Sequence, residues 1–117
     1  SILEDFEGVK VIVAHMGCYS AKVPALWMDE ALELGKINEN VWFDIAAVTY
    51  LVTRENFVQK IRETVGMDRV LFGSDYPAVQ GVSIKMVVDD VKKSRHLTET
   101  EKEKILALNA MKLLELV

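Results

Sequence analysis

The stretch Val70-Leu-Phe-Gly-Ser-Asp75-Tyr-Pro77 decides how this chain reads. A short apolar run ends on a glycine, a carboxylate follows, and Pro77 blocks continuation of the strand because proline has no N–H to give to a ladder. Two other runs share this make-up: Val9 to Ala14, which leads into His15-Met-Gly17, and Val41 to Ala47, which carries Asp44 within it. Each is β-branched or aromatic and nearly continuous, the pattern of a strand covered on both faces in a parallel sheet or a barrel. The runs begin roughly 30 residues apart, one strand–helix unit, and eight such units make the roughly 250 residues of a (β/α)8 barrel. The expected fold is therefore α/β: three βα units of a TIM barrel, each parallel strand followed by a helix, with residues 1–117 forming a single partial domain.

The segments between the runs carry helical periodicity. Pro24 suits a first helical turn, and the apolar positions from Ala25 to Leu34 fall three and four apart before Gly35, so a helix is expected there. A second follows Thr53 as N-cap and stops at Gly66; a third spans Ile84 to Arg95 after Ser83. Thr98-Glu-Thr-Glu101 matches a capping box, and Leu106 to Val117 continues that helix or restarts at Asn109. Ser1 to Gly8 reads as the last turns of a helix closed by glycine, so the chain begins in mid-element.

The 117 residues are 50% hydrophobic and 27% charged, with a net charge of -4. That acidic balance gives no footprint for a polyanion, so nucleic acid is not expected as a partner. No apolar run approaches the roughly 18 to 20 residues that cross a bilayer, and no secretory signal opens the chain; the expectation is a cytoplasmic protein without a membrane partner. The lone cysteine, Cys18, has no internal disulfide partner. His15-x-x-Cys18 is a possible metal spacing, but without a second pair it reads as a small buried filler.

Catalytic groups in parallel α/β folds gather at the C-terminal ends of the strands, where the loops open onto one face. His15, Asp44 and Asp75 all fall there. Histidine and aspartate are ligand types that a divalent ion accepts, and such an ion lowers the pKa of bound water towards neutrality.

The segments Val11-Ile-Val-Ala-His15-Met-Gly17, Asn40-Val-Trp-Phe-Asp44, Val70-Leu-Phe-Gly-Ser-Asp75-Tyr-Pro77 and Asn109-Ala-Met-Lys-Leu-Leu114 resemble, in order and spacing, the C-terminal part of the amidohydrolase-2 family. That family comprises metal-dependent TIM-barrel hydrolases and non-oxidative decarboxylases acting on small molecules. The resemblance implies that His15 ends barrel strand six and activates water or substrate, binding metal in some related enzymes. It implies that Asp75 ends strand eight, touches the metal and exchanges a proton with the attacking water or the substrate. Asp44 would end strand seven with a supporting or substrate-contact role, and Tyr76 would line the substrate pocket. The implied cofactor is a divalent metal, zinc by preference. The family's His-x-His pair and strand-five histidine are absent, and the only other histidine, His96, lies between helical segments. On this reading the chain is the strand six to eight portion of a barrel and is inactive alone.

Alternative readings stay open at each position. His15 as a buried histidine bonded to backbone carbonyls, Asp75 as a turn cap, Asp44 as a structural acceptor and Tyr76 as packing over the barrel mouth all suit the same residues. Trp27, Met28, Leu32 and Leu34, at helical spacing, are assigned to core or inter-helix packing and no binding role; Lys92, Lys93 and Arg95 to a solvated helix end. A different function class also follows from three strands with two open edges: a non-catalytic module that self-associates into a homo-oligomer to cover them.

Overall fold

The computed structural model describes residues 2–5, 7–18 and 23–116. In chain order these form α1 (Ile2–Asp5), β1 (Val11–Val13), a 3₁₀ turn (Ala14–Gly17), α2 (Met28–Ile37), β2 (Val41–Asp44), α3 (Tyr50–Thr53), α4 (Glu55–Thr64), β3 (Val70–Leu71), α5 (Ile84–Lys93), α6 (Glu99–Glu103), a π turn (Lys104–Leu108) and α7 (Asn109–Leu113). Ser1, Phe6 and Val117, parts of the two terminal helices expected above, lie outside the described residues.

The strands form one parallel sheet in the order β1-β2-β3. Val11, Ile12 and Val13 pair with Val41, Trp42 and Phe43; Phe43 and Asp44 pair with Val70 and Leu71. Because side chains alternate across a strand, this register puts Val41, Phe43 and Val70 on one face, where they are buried with Met28, Leu32, Leu51, Ile61, Val91 and Ile105 in one core cluster. Ile12, Trp42 and Leu71 share the other face, and there Ile12 is 49% exposed.

Several boundaries differ from those read in the sequence. All three strands are shorter than their apolar runs. The first long helix starts at Met28, four residues after Pro24, because the Ala25 N–H is taken by the Tyr50 hydroxyl (2.8 Å) and Ala25 sits at φ 58. That helix also runs through Gly35 to Ile37. Gly35 serves close packing instead of a stop: a Cβ there would collide with the Phe43 ring. Thr53 ends α3 rather than capping α4, whose N-cap position is Arg54. Of the residues assigned to core or inter-helix packing, Met28 and Leu32 are buried, whereas Trp27 is 52% exposed. Ser83 and Thr98 both cap as read, accepting from the Met86 and Glu101 N–H groups (3.1 Å each).

Polar side chains close the ends that backbone alone leaves open. Arg69 donates to the carbonyls of Gly35, Asn38 and Val41 (2.8–2.9 Å), tying the end of α2 to the start of β2. Buried Asn109 donates to the Met67 and Val70 carbonyls (2.7 and 2.8 Å). The π turn directs the Ile105 carbonyl to the Phe72 N–H (3.0 Å), so the C-terminal helix covers the backbone just past β3. A strand edge closed this way has fewer free groups to recruit another chain.

Candidate functional site at the strand ends

Parallel strands end on one side, and here that side carries His15, Asp44 and Asp75: His15 two residues past β1, Asp44 the last residue of β2, Asp75 four residues past β3. The chain after β1 turns sharply. His15 and Met16 have φ of 55° and 51°, in the left-handed region that costs a residue with a Cβ roughly 1–2 kcal/mol. Two features hold them there. Met16 is fully buried in the core cluster, and the Asp44 carboxylate accepts the His15 N–H at 2.9 Å. The same Asp44 Oδ1 accepts the Ala46 N–H at 3.0 Å, so one oxygen anchors the turn after β1 and the bend after β2. Gly17 follows at φ 78, with the Trp27 carbonyl where a Cβ would lie, 2.7 Å away.

The His15 ring lies over this anchor. Nδ1 is 3.6 Å from Asp44 Oδ1, enclosed and without a hydrogen-bond partner, while the side chain as a whole is 32% exposed. The exposed part of the ring is therefore the part away from Asp44. A buried polar nitrogen without a partner is uncommon and calls for an explanation.

Asp75 is the more open group. It too has a positive φ (57°), ahead of the cis Tyr76–Pro77 bond, and its carbonyl accepts the Ala78 N–H at 2.7 Å. Among the described residues its carboxylate enters no hydrogen bond or ion pair. The turn-cap reading would have its side chain accept from nearby N–H groups; here the Tyr76 N–H goes to the Ser74 hydroxyl instead (3.1 Å). Tyr76 is 59% exposed and, with Pro77, Val79, Gln80, Val82 and Ser83, lines an open hollow of about 420 Å³.

The structure thus brings His15 and Asp44 together and leaves Asp75, on the same side, without a hydrogen bond or ion pair to either. Asp44 faces backbone donors, the structural role left open above, and no sequence feature local to Asp44 names His15 as its partner. Cys18 is buried, its Sγ faces the Met16 carbonyl (3.7 Å), and burial pushes its thiol pKa up, so it is a filler rather than a thiolate ligand. His96 sits beyond α5, where its carbonyl accepts from Arg62 (2.6 Å). Among the described residues no three histidine, cysteine or carboxylate side chains come together as a metal site. A catalytic zinc normally takes three protein ligands, so the described residues do not fit a complete metal centre, although Asp75 is a suitable single donor.

The family model for amidohydrolases matches residues 1–116. Among solved structures the chain is similar to 2,6-dihydroxybenzoate decarboxylase from Rhizobium, at 20% identity and a TM-score of 0.66, over 98% of this chain and 37% of that one. It is similar to a dihydroxybenzoic acid decarboxylase from Polaromonas that holds manganese and the inhibitor 2-nitroresorcinol (19% identity, TM-score 0.67, 98% and 36% covered). It is also similar to 5-carboxyvanillate decarboxylase from Sphingomonas paucimobilis (16%, TM-score 0.65, 97% and 36%). No curated protein matches. At these identities the likeness establishes the amidohydrolase barrel fold, and the chain spans little more than a third of each of these structures.

Proposed function

The chain belongs to the amidohydrolase family, and we propose that it supplies the acid–base groups of an enzyme that hydrolyses a small molecule, or decarboxylates one on the same site. The observation that carries this reading is the His15 ring, with one nitrogen enclosed against Asp44 and the rest of the ring open at the strand ends. A group so placed can pass a proton to and from a substrate while its backbone is held still. Asp75 adds an unpartnered carboxylate on the same side.

The two reactions make different demands on these residues. In hydrolysis Asp75 takes a proton from water as its oxygen attacks a carbonyl, and His15 returns a proton to the leaving group as the bond to it breaks. In decarboxylation the carbon–carbon bond breaks, carbon dioxide leaves, and the electron pair left on carbon takes a proton that His15 has drawn from solvent. Hydrolysis is the broader label and the one favoured here. A metal in the whole enzyme, zinc by preference or manganese as in the Polaromonas relative, would draw on Asp75 and on donors beyond the described residues; no step here is routed through it. Placement in the cytosol belongs to the same proposal; among the described residues no helix is long and apolar enough to cross a membrane.

Product analysis tests the proposal. The whole enzyme that carries this segment is incubated with arenecarboxylates, including 2,6-dihydroxybenzoate and 5-carboxyvanillate, while carbon dioxide is followed, and with amides and lactones while acid release is followed. Turnover of one panel is expected, with Asp75→Asn lowering kcat roughly 10²- to 10⁴-fold. A folded whole enzyme that turns over neither panel, or an Asp75→Asn variant of it with unchanged kcat, counts against it.

A second reading rests on a separate observation. Among the described residues β1 has a neighbour on one side only, and Val9 and Ile12 beside its open edge are exposed. Edge pairing between two copies would give a homo-oligomer. Sedimentation at several concentrations checks this: a dimer that dissociates on Ile12→Lys is expected, and a monomer at every concentration refutes it.

A further inference from the structure

We infer that Asp44 is a positioning residue that fixes the tautomer of His15, holding the ring proton on Nδ1 and leaving Nε2 as the working nitrogen. The inference rests on the proposed acid–base role of His15 and adds which nitrogen does the work and what selects it. Three observations carry it. His15 Nδ1 is enclosed, has no hydrogen-bond partner, and lies 3.6 Å from Asp44 Oδ1. Asp44 Oδ1 is itself immobilised by two backbone donors, the N–H groups of His15 and Ala46. The backbone of His15 is set in the left-handed region at φ 55, which points the ring from a fixed base.

The chemistry follows from what each atom can offer. A neutral imidazole has one N–H donor and one lone-pair acceptor, and an ionised carboxylate only accepts. With the lone pair on Nδ1, that nitrogen would face an anionic oxygen with no donor of its own, while Asp44 Oδ1 keeps the His15 and Ala46 N–H groups. With the proton on Nδ1, the same pair attracts, the N–H turned towards an anionic oxygen 3.6 Å away that also accepts the His15 and Ala46 N–H groups. Hydrogen bonding at one ring nitrogen sets the state of the other, so Nε2 is left with its lone pair at the exposed end of the ring, where it takes up the proton that it then gives to the leaving group or the substrate carbon. Asp44 does not touch the substrate in this arrangement. It acts through His15, much as a buried carboxylate orients the base of a hydrolytic triad.

The test reads the tautomer directly, without any need for activity. Long-range ¹H–¹⁵N spectra of the ring are recorded for the whole chain at alkaline pH, and the proportions of the Nδ1–H and Nε2–H forms are read from them. The Nδ1–H form is expected to dominate. Asp44→Asn keeps a carbonyl oxygen for the two backbone N–H groups but removes the charge, and the ratio of Nδ1–H to Nε2–H should fall roughly tenfold or more, the size expected of a hydrogen bond to a charged group. A wild-type ring that is mainly Nε2–H overturns the inference, and so does a ratio unchanged in folded Asp44→Asn. If that variant does not fold, the wild-type spectrum alone still decides. His15→Gln activity reads the underlying proposal separately: an active His15→Gln variant sinks the acid–base role, whereas an inactive one beside an Nε2–H ring sinks only the part given to Asp44.

Discussion

Replacing Asp44 by alanine removes a single acceptor that serves two backbone donors, one in the turn after β1 and one in the bend after β2. A hydrogen bond to a charged group is worth roughly 1.5–3 kcal/mol, and losing it leaves its donor unsatisfied. The Asp44 side chain is 23% exposed, so water replaces part of what is lost. For the two bonds together the lower end applies, and Asp44→Ala is expected to cost about 2–4 kcal/mol. That is a large share of the roughly 5–15 kcal/mol that hold a domain folded. The anchor also restrains two left-handed residues, His15 and Met16, whose strain adds to the tendency of the turn to open once Asp44 is gone. Asp44→Asn retains the carbonyl oxygen and should lose only about 1 kcal/mol. Equilibrium unfolding in urea measures both, through a lower midpoint at an unchanged slope. An Asp44→Ala variant within about 0.5 kcal/mol of wild type, the range of an ordinary surface change, would refute the reasoning. So would an asparagine variant as unstable as the alanine one.

Other expectations follow from single contacts. Gly35→Ala gains helix propensity yet should still destabilise by about 1–2 kcal/mol in a thermal melt, because the new Cβ meets the Phe43 ring and lies 3.0 Å from Val65 Cγ1. Asn109→Ala leaves the Met67 and Val70 carbonyls without their buried donor and should cost about 2–3 kcal/mol by urea unfolding; a neutral result would mean that water takes its place. The Arg62 guanidinium donates to the Glu101 carboxylate and holds its pKa below the ordinary value. A depressed carboxylate stabilises above its unfolded pKa, about 4.3, and loses that contribution as the pH falls through its folded value. The stability gap between wild type and Glu101→Gln should therefore be level near neutrality and shrink below pH about 4; a gap independent of pH would show that the pair does not titrate with folding.

What could be read from the sequence divides along physical lines. The three strands were legible because burial on both faces leaves a continuous β-branched signature, and the caps at Ser83 and Thr98 because a capping residue bonds within its own first turn. The start of α2 was not, because what stops a helix at Ala25 is the Tyr50 hydroxyl, 25 residues along the chain. Gly35 carries a helix-end signal and is used for contact with Phe43, a packing fact that no local rule contains. The site shows the same split. His15, Asp44 and Asp75 stand out because each follows or ends an apolar run. That Asp44 grips the His15 backbone depends on the β1–β2 register, Val13 opposite Phe43, which brings residues 29 apart in sequence into hydrogen-bond range.

The central claim is that His15 moves a proton in the reaction, and kcat and KM of His15→Gln on whichever substrate turns over test it most directly. A fall in kcat of roughly 10²- to 10⁴-fold with KM little changed is predicted, since general acid–base catalysis contributes about that much and acts in the transition state. A variant with kcat within about twofold of wild type would contradict the account, because a factor of two is under 0.5 kcal/mol of transition-state stabilisation.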